Sequence, residues 1–173
     1  MDFFEVINSR RSVRKFKQDV PVSDEQVRKI LDAAIMAPSA GNGQSWHFVV
    51  LRDKALKGEI AAKAGHQAFI DQAPVAIVVC ADMERAGSKY GDRGRGTYAL
   101  QETAAAVENM LLAANALSLA SCWVGAFDEA KAAEILKLPS HLRPVAILPI
   151  GAPAEHAVRV PQRRHIEDVT EFR

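Results

Sequence analysis

Residues 97–120 read TYALQETAAAVENMLLAANALSLA, and the rest of the chain is best understood outward from them. The stretch predicts the longest helix of the protein, apolar on nearly every side. Such a helix belongs in the middle of a protein or of an interface. Glu108, Asn109 and Asn115 interrupt its most apolar part, residues 104–119, so it does not qualify as a membrane span. Upstream, Pro74 opens Val75–Ala81, a continuous valine-rich run that suits a strand buried on both faces. Between the two lies Asp82–Gly96, charged and holding Gly87, Gly91, Gly94 and Gly96, which reads as a surface excursion. Downstream, Cys122–Phe127 and Val145–Ile150 read as strands. Pro149 inside the second points to a sheet edge or a bulge.

Further out, Asp2–Asn8 reads as a short first helix. Ser23 and Gln26 have capping-box spacing, and Val27, Ile30, Leu31, Ala34 and Ile35 share one helical face until Pro38 stops it. Trp46–Leu51 is a strand, Lys54 to Ala64 a helix closed by Gly65, and Asp128 the N-cap of another helix. By pattern alone, helices alternating with strands indicate α/β. At 173 residues and 18.8 kDa, with 49% hydrophobic residues, the chain builds one domain. Its tail, about 152–173, carries only isolated apolar residues: Val158, Val160, Ile166, Val169 and Phe172. These are too few for a core and too many for a disordered tail. The tail must lie along its own subunit's surface or a neighbour's, which together with the apolar helix favours an oligomer.

A net charge of +1 argues against a general lure for nucleic acid or anionic membrane. The N-terminus is acidic where a secretory signal is basic, so a cytoplasmic protein is expected. Cys80 and Cys122 lie in apolar runs and read as buried, reduced thiols. His47, His66, His141, His156 and His165 are scattered without ligand spacing, so no metal site is expected. No Gly-x-Ser-x-Gly elbow is present. The chain thus lacks an obvious acid, base or nucleophile of its own, and an imported cofactor would explain that.

Two segments have the chemistry to hold one. Arg10, Arg11 and Arg14 bracket Ser12; guanidinium forks match phosphate oxygens, and a hydroxyl adds a donor. A solvated basic face remains the simpler account of so short a run. Pro38-Ser39-Ala40-Gly41-Asn42-Gly43-Gln44 is rich in small residues and amides, which let backbone approach a flat ligand and read its ring edge. It has neither the Lys-Ser/Thr of a P-loop nor the strand-to-helix context of a dinucleotide fingerprint, and a plain loop is the alternative.

In order and spacing, these segments resemble the nitroreductase family of flavoenzymes over nearly the whole chain. The likeness rests on Arg10–Phe16, Ala37–Trp46, Tyr90–Gly94, Gln101–Ala106, Cys122–Phe127 and Arg163–Val169. It implies an α+β fold: a mixed, largely antiparallel sheet wrapped by helices, in a homodimer with exchanged arms. Residues 1–173 would form a single FMN-binding domain with a C-terminal arm at about 152–173.

The resemblance assigns Arg10, Arg11, Ser12 and Arg14 to the FMN phosphate and ribityl chain, with Arg163 or Arg164 closing the phosphate from the tail. Pro38, Ser39, Ala40, Asn42 and Gln44 would lie along the ring from the partner subunit, and the Val124-Gly125-Ala126 backbone would face N5. It further implies ping-pong reduction of nitroaromatics, quinones or similar acceptors by NAD(P)H. Another flavin reaction on the same fold, or FMN binding without turnover, are the alternatives. Three departures from the family pattern stand out. Ser45 stands where proline is common, Ser118 and Ala120 where glycines are common, and His165 where proline or a basic residue is usual. The first two are expected to alter packing only.

Overall fold

The computed structural model describes residues 2–154 and 160–173, so Val158 and His156 of the tail lie outside the described residues. Four strands form one sheet in the order β1-β2-β4-β3: β1 Trp46–Leu51, β2 Val75–Asp82, β3 Ala120–Ser121 and β4 Leu142–Gly151. Every pairing between these strands is antiparallel. Among the described residues, the one parallel contact is an isolated bridge between Ser12 and Ser121. The fold is therefore α+β, and the alternation of helices and strands, which alone would indicate α/β, does not build a parallel sheet here.

β2 is buried along its length up to Ala81, because both faces of the sheet are covered. On one face lie α2 (Asp24–Ile35) and α6 (Ala99–Ala116), packed through Ile30, Ala34, Val107 and Met110. On the other lie α3 (Lys54–Glu59), its continuation Ile60–Gly65, and α7 (Glu129–Leu136). Caps set the helix starts. Asp2 and Ser23 form capping boxes with Glu5 and Gln26, at the N-termini of α1 (Phe3–Ser9) and α2, and Asp128 accepts from the Lys131 N–H at the start of α7. Among the described residues no helix is long and apolar enough to cross a membrane.

Three segments differ from the sequence reading. The strand expected over Cys122–Phe127 is not formed; a two-residue strand, Ala120–Ser121, precedes it, and Val124 is joined to Ile147 by an isolated bridge. Pro149 is not at a sheet edge, since β4 runs between β2 and β3. The bulge falls instead at Val145, next to Pro144, where the register shifts opposite Val79 and Cys80. The charged excursion is helical: α5 spans Met83–Arg93, capped by Asp82 and kinked at Gly91 (φ 53°). Its glycines let α5 fold back on itself, for a side chain at Gly94 would collide with the Ala86 carbonyl. A short α4 (Phe69–Gln72) precedes β2.

The turn that ends α6 explains one departure from the family. Ser118 takes φ 59°, a left-handed conformation that favours glycine. Replacing Ser118 by Gly is expected to stabilise the protein by roughly 0.5–1 kcal/mol, the relief of that strain less the entropy glycine adds to the unfolded chain. Thermal denaturation of the two proteins measures it, and an unchanged or lower midpoint contradicts the argument.

Candidate active site

After α1 the chain turns and runs beside the short strand β3. The Val13 N–H donates to the Ser121 carbonyl (2.9 Å), and further on Lys17 and Ala152 are joined by a backbone hydrogen bond of the same length. This path delivers Ser12, Arg14 and Arg10 to one place, beside the buried Cys122. Burial pushes the Cys122 thiol pKa up, while Arg14, a hydrogen bond with Ser12, and Arg10 pull it the other way. Arg10 also reaches Glu108 on α6, at a loose 3.9 Å. Arg11 is turned away: its Nη1 donates to the Asn8 and Arg10 carbonyls and caps the end of α1.

The Arg14 guanidinium lies over the Phe69 ring, 5.9 Å from its centroid. Two residues earlier, Gln67 Nε2 donates to the Ala126 carbonyl at 3.4 Å. Arg14, Phe69, Gln67 and Ala126 thus form a continuous wall from the basic cluster to the Gly125-Ala126 backbone. Val124 is buried and exchanges backbone hydrogen bonds with Ile147 at 3.0 Å, which fixes the strand from which Gly125 and Ala126 emerge into solvent. The N–H groups of Gly125 and Ala126 have no partner among the described residues.

Gln67 and Phe69 were not singled out in the sequence. Their local signals are the helix stop at Gly65 and His66, whose left-handed conformation (φ 49°) follows it.

The Pro38–Gln44 loop stands elsewhere, anchored near the start of α6. The Glu102 carboxylate, nearly buried, accepts from the Ala40 N–H (2.8 Å), the Ser45 N–H (3.1 Å) and the Ser45 hydroxyl (2.6 Å). Ser39 Oγ accepts from the Gln44 N–H at 3.1 Å, and Gln44 Nε2 donates to Asn42 Oδ1 at 3.1 Å. Gly41, Asn42 and Gln44 all have positive φ, so the loop is held in a shape few sequences adopt. Ser45 does more than alter packing: a proline there would supply neither of its two donors.

Arg163 and Arg164 are exposed, and among the described residues they bond only within the tail, to the carbonyls of Pro161 and Asp168. The loop is anchored at Glu102 near the start of α6, whereas Ser12 and Arg14 lie beside Cys122, past the far end of the helix, with Arg10 reaching back to Glu108 at its middle. Glu102 and the end of the helix are separated by roughly 20 Å at 1.5 Å per residue. No group of metal-binding side chains occurs among the described residues.

The nitroreductase family model matches residues 7–67 and 57–152. The chain belongs to the nitroreductase family. It is 34% identical to the NADH dehydrogenase of Thermus thermophilus, over 84% of each chain. It is also 34% identical to the NAD(P)H FMN reductase of Bacillus subtilis, over 91% of this chain and 70% of that one. Among solved structures, a nitroreductase family protein from Clostridium novyi superposes with a TM-score of 0.80 at 35% identity, covering 90% of this chain and 87% of the other. Within this nitroreductase framework, the anchoring of the loop by Glu102 is open to direct test.

Replacing Glu102 by Ala leaves two loop N–H groups without an acceptor, each costing about 1–3 kcal/mol. Chemical denaturation should show a loss in that range or above it, and the Ala40 and Ser45 amides should lose hydrogen-exchange protection ahead of β2. Ser45→Ala removes one charge-assisted bond and is expected to cost about 1.5–3 kcal/mol.

Proposed function

We propose that this nitroreductase-family protein is an FMN-dependent oxidoreductase that uses NAD(P)H to reduce nitroaromatics, quinones or similar acceptors, the two substrates taking turns at one site. The observation that carries this reading is the convergence of Arg10, Ser12 and Arg14 with the open Gly125-Ala126 backbone along one wall. The donor set fits the cofactor. A phosphate monoester carries close to two negative charges and three acceptor oxygens. Two guanidinium groups and a hydroxyl at a single spot answer both. The side chain of Gly125 is absent and that of Ala126 small, so backbone donors are presented to a flat ring without obstruction. When bound, FMN supplies the hydride-accepting and hydride-donating centre that the side chains lack. The protein's part is to hold it, align its face and keep one side open to a second reactant.

The site is completed in this reading by a second copy of the chain. Within one chain the loop sits near the start of α6 and Ser12 and Arg14 lie past its far end, so a single flavin touched by both draws the loop from a partner. The surface supports the same conclusion. Phe3 and Phe4 of α1, Met36 after α2, and Val160, Ile166, Val169 and Phe172 of the tail are all exposed, with Phe172 95% accessible. So many uncovered large apolar side chains indicate an association surface. Arg163 and Arg164 would reach a phosphate from the tail, and Arg11 would join them only by leaving its carbonyl partners.

Purified protein is expected to release FMN on denaturation and to oxidise NADH when a quinone is added. Replacing Arg14 by Ala should weaken FMN binding by about 1.5–3 kcal/mol, the scale of a charge-assisted hydrogen bond. Riboflavin, which lacks the phosphate, should bind both forms alike. Equal losses for the two flavins would assign Arg14 to the fold instead, and a protein that takes up FMN but never turns over would be a binder.

Sharing between subunits has its own test. A purified mixed dimer of one Arg14→Ala chain and one Asn42→Asp chain places both lesions in one site and leaves the other intact. It should show half the wild-type activity, although each homodimer is impaired. A mixed dimer as impaired as its parents would mean that each chain holds its flavin alone.

A further inference from the structure

α5 and the turn that follows it pack directly on the Pro38–Gln44 loop. Arg85 Nε donates to the Gly43 carbonyl. A methyl group at Gly41 would meet the Lys89 ammonium and, at 2.7 Å, the Tyr90 hydroxyl. Between helix and loop lies a cleft of about 260 Å³, bordered by Ala40, Gly43, Lys89 and Tyr90. The charges on this element are unequally committed. Arg95 pairs with Asp92 at 3.3 Å, and Arg85 is held by the loop. Lys89 and Arg93 are exposed and have no carboxylate partner among the described residues. Their partners are aromatic. Lys89 lies 5.6 Å from the Tyr90 ring centroid and Arg93 5.3 Å from that of Tyr98, with Arg93 Nε donating to the Tyr98 hydroxyl at 2.8 Å. The two rings meet edge to face at 5.2 Å.

Two cations held out of ion pairs by aromatic rings make a surface for a ligand that is both anionic and aromatic. Phosphate oxygens satisfy the ammonium and guanidinium groups, and a base stacks on tyrosine or on the guanidinium plane. We propose that Lys89 and Arg93, with Tyr90 and Tyr98, bind the adenosine-phosphate half of NAD(P)H while its nicotinamide reaches the flavin. This rests on the reading above that the Pro38–Gln44 loop faces the flavin, because that loop is what places α5 at the rim of the site. The assignment gives the charged excursion a role in choosing the electron donor rather than the acceptor.

Reduced nicotinamide mononucleotide separates this from general support of the loop, because it carries the reacting ring without the adenosine half. In steady-state kinetics with a quinone acceptor, the Lys89→Ala, Arg93→Ala double variant should raise KM for NADH and NADPH about tenfold or more. KM for the mononucleotide and the FMN content should follow the wild type. KM for NADPH in the wild-type enzyme should climb with ionic strength, and that dependence should flatten in the variant. Because Arg93 packs on Tyr98, Lys89→Ala alone, which leaves that stack intact, is measured alongside and should give part of the same rise. Unchanged KM for both dinucleotides, or an equal rise for the mononucleotide, overturns the proposal while leaving the flavin site standing. A wild-type protein that binds no FMN overturns the reading on which it rests, and the proposal with it.

Discussion

A carboxylate buried near the start of the central helix is the constraint on which the rest of the site depends. Glu102 has left water, and a lone ionised carboxylate in such a place is costly unless its oxygens are filled. Three donors fill them, and all three come from residues 40–45. The hydrogen bonds therefore act in both directions: the loop makes the buried charge tolerable, and the charge holds the loop in a positive-φ path that no helix or strand would maintain. Ser45 links this arrangement to the sheet, since its carbonyl accepts from the Asp82 N–H at 2.8 Å, at the end of β2. Loop, helix and sheet are locked together at one residue.

The other end of α6 is held differently. Asn115 Nδ2 donates to the Val6 carbonyl and to Ser9 Oγ, at 2.9 and 2.8 Å, fixing α1 against the helix end and aiming the following residues toward β3. α6 thus carries the Pro38–Gln44 loop near its start and α1 at its end. Its inner side is filled by Val107, Met110 and Ala114 against the sheet and α2, while Ala104, Ala105 and Leu112 stay only half-buried. A helix that is apolar all round but covered on one side has a second surface to satisfy. In the proposed reading, association with another copy would meet that requirement and bring the loop and the basic cluster to one flavin.

The elements whose positions follow from local chemistry were legible in the sequence. Ser23 and Gln26, Asp128, and the apolar, valine-containing run Trp46–Leu51 each carry their own signal within a few residues, and the structure places those boundaries accordingly. What escaped depends on contacts distant in the chain. Cys122–Phe127 has strand composition, yet the ladder with β4 is formed by Ala120 and Ser121, and beyond them Val124 alone bridges to Ile147. Residues 82–96 read as a surface excursion, whereas the segment is helical and Gly87 and Gly94 are contact positions, tight against Arg95 and Ala86. Within the basic run, Arg10, Ser12 and Arg14 come together as their chemistry suggested. The separation of Arg11 is decided by carbonyls at the end of α1, and the arrival of Gln67 by a left-handed turn at His66. Neither can be read without the fold.

Charge placement joins the two ends of the site. The chain is almost neutral, so no broad field guides a ligand to it. Elsewhere on the surface basic side chains are matched locally: Arg28 with Asp32, Lys29 with Glu25, Lys63 with Glu59, Lys131 with Glu134 and Arg143 with Glu129. Such exposed pairs add little to stability. Other cations have no carboxylate partner among the described residues, and three of those rest on aromatic rings. Arg14 rests on a phenylalanine ring, and Lys89 and Arg93 rest on tyrosines. A ring lowers the energy of a cation without neutralising it, so the charge stays available to an incoming anion. Among the described residues, Arg14, Lys89 and Arg93 are the cations that lean on aromatic rings, and their charge stays open to an incoming anion.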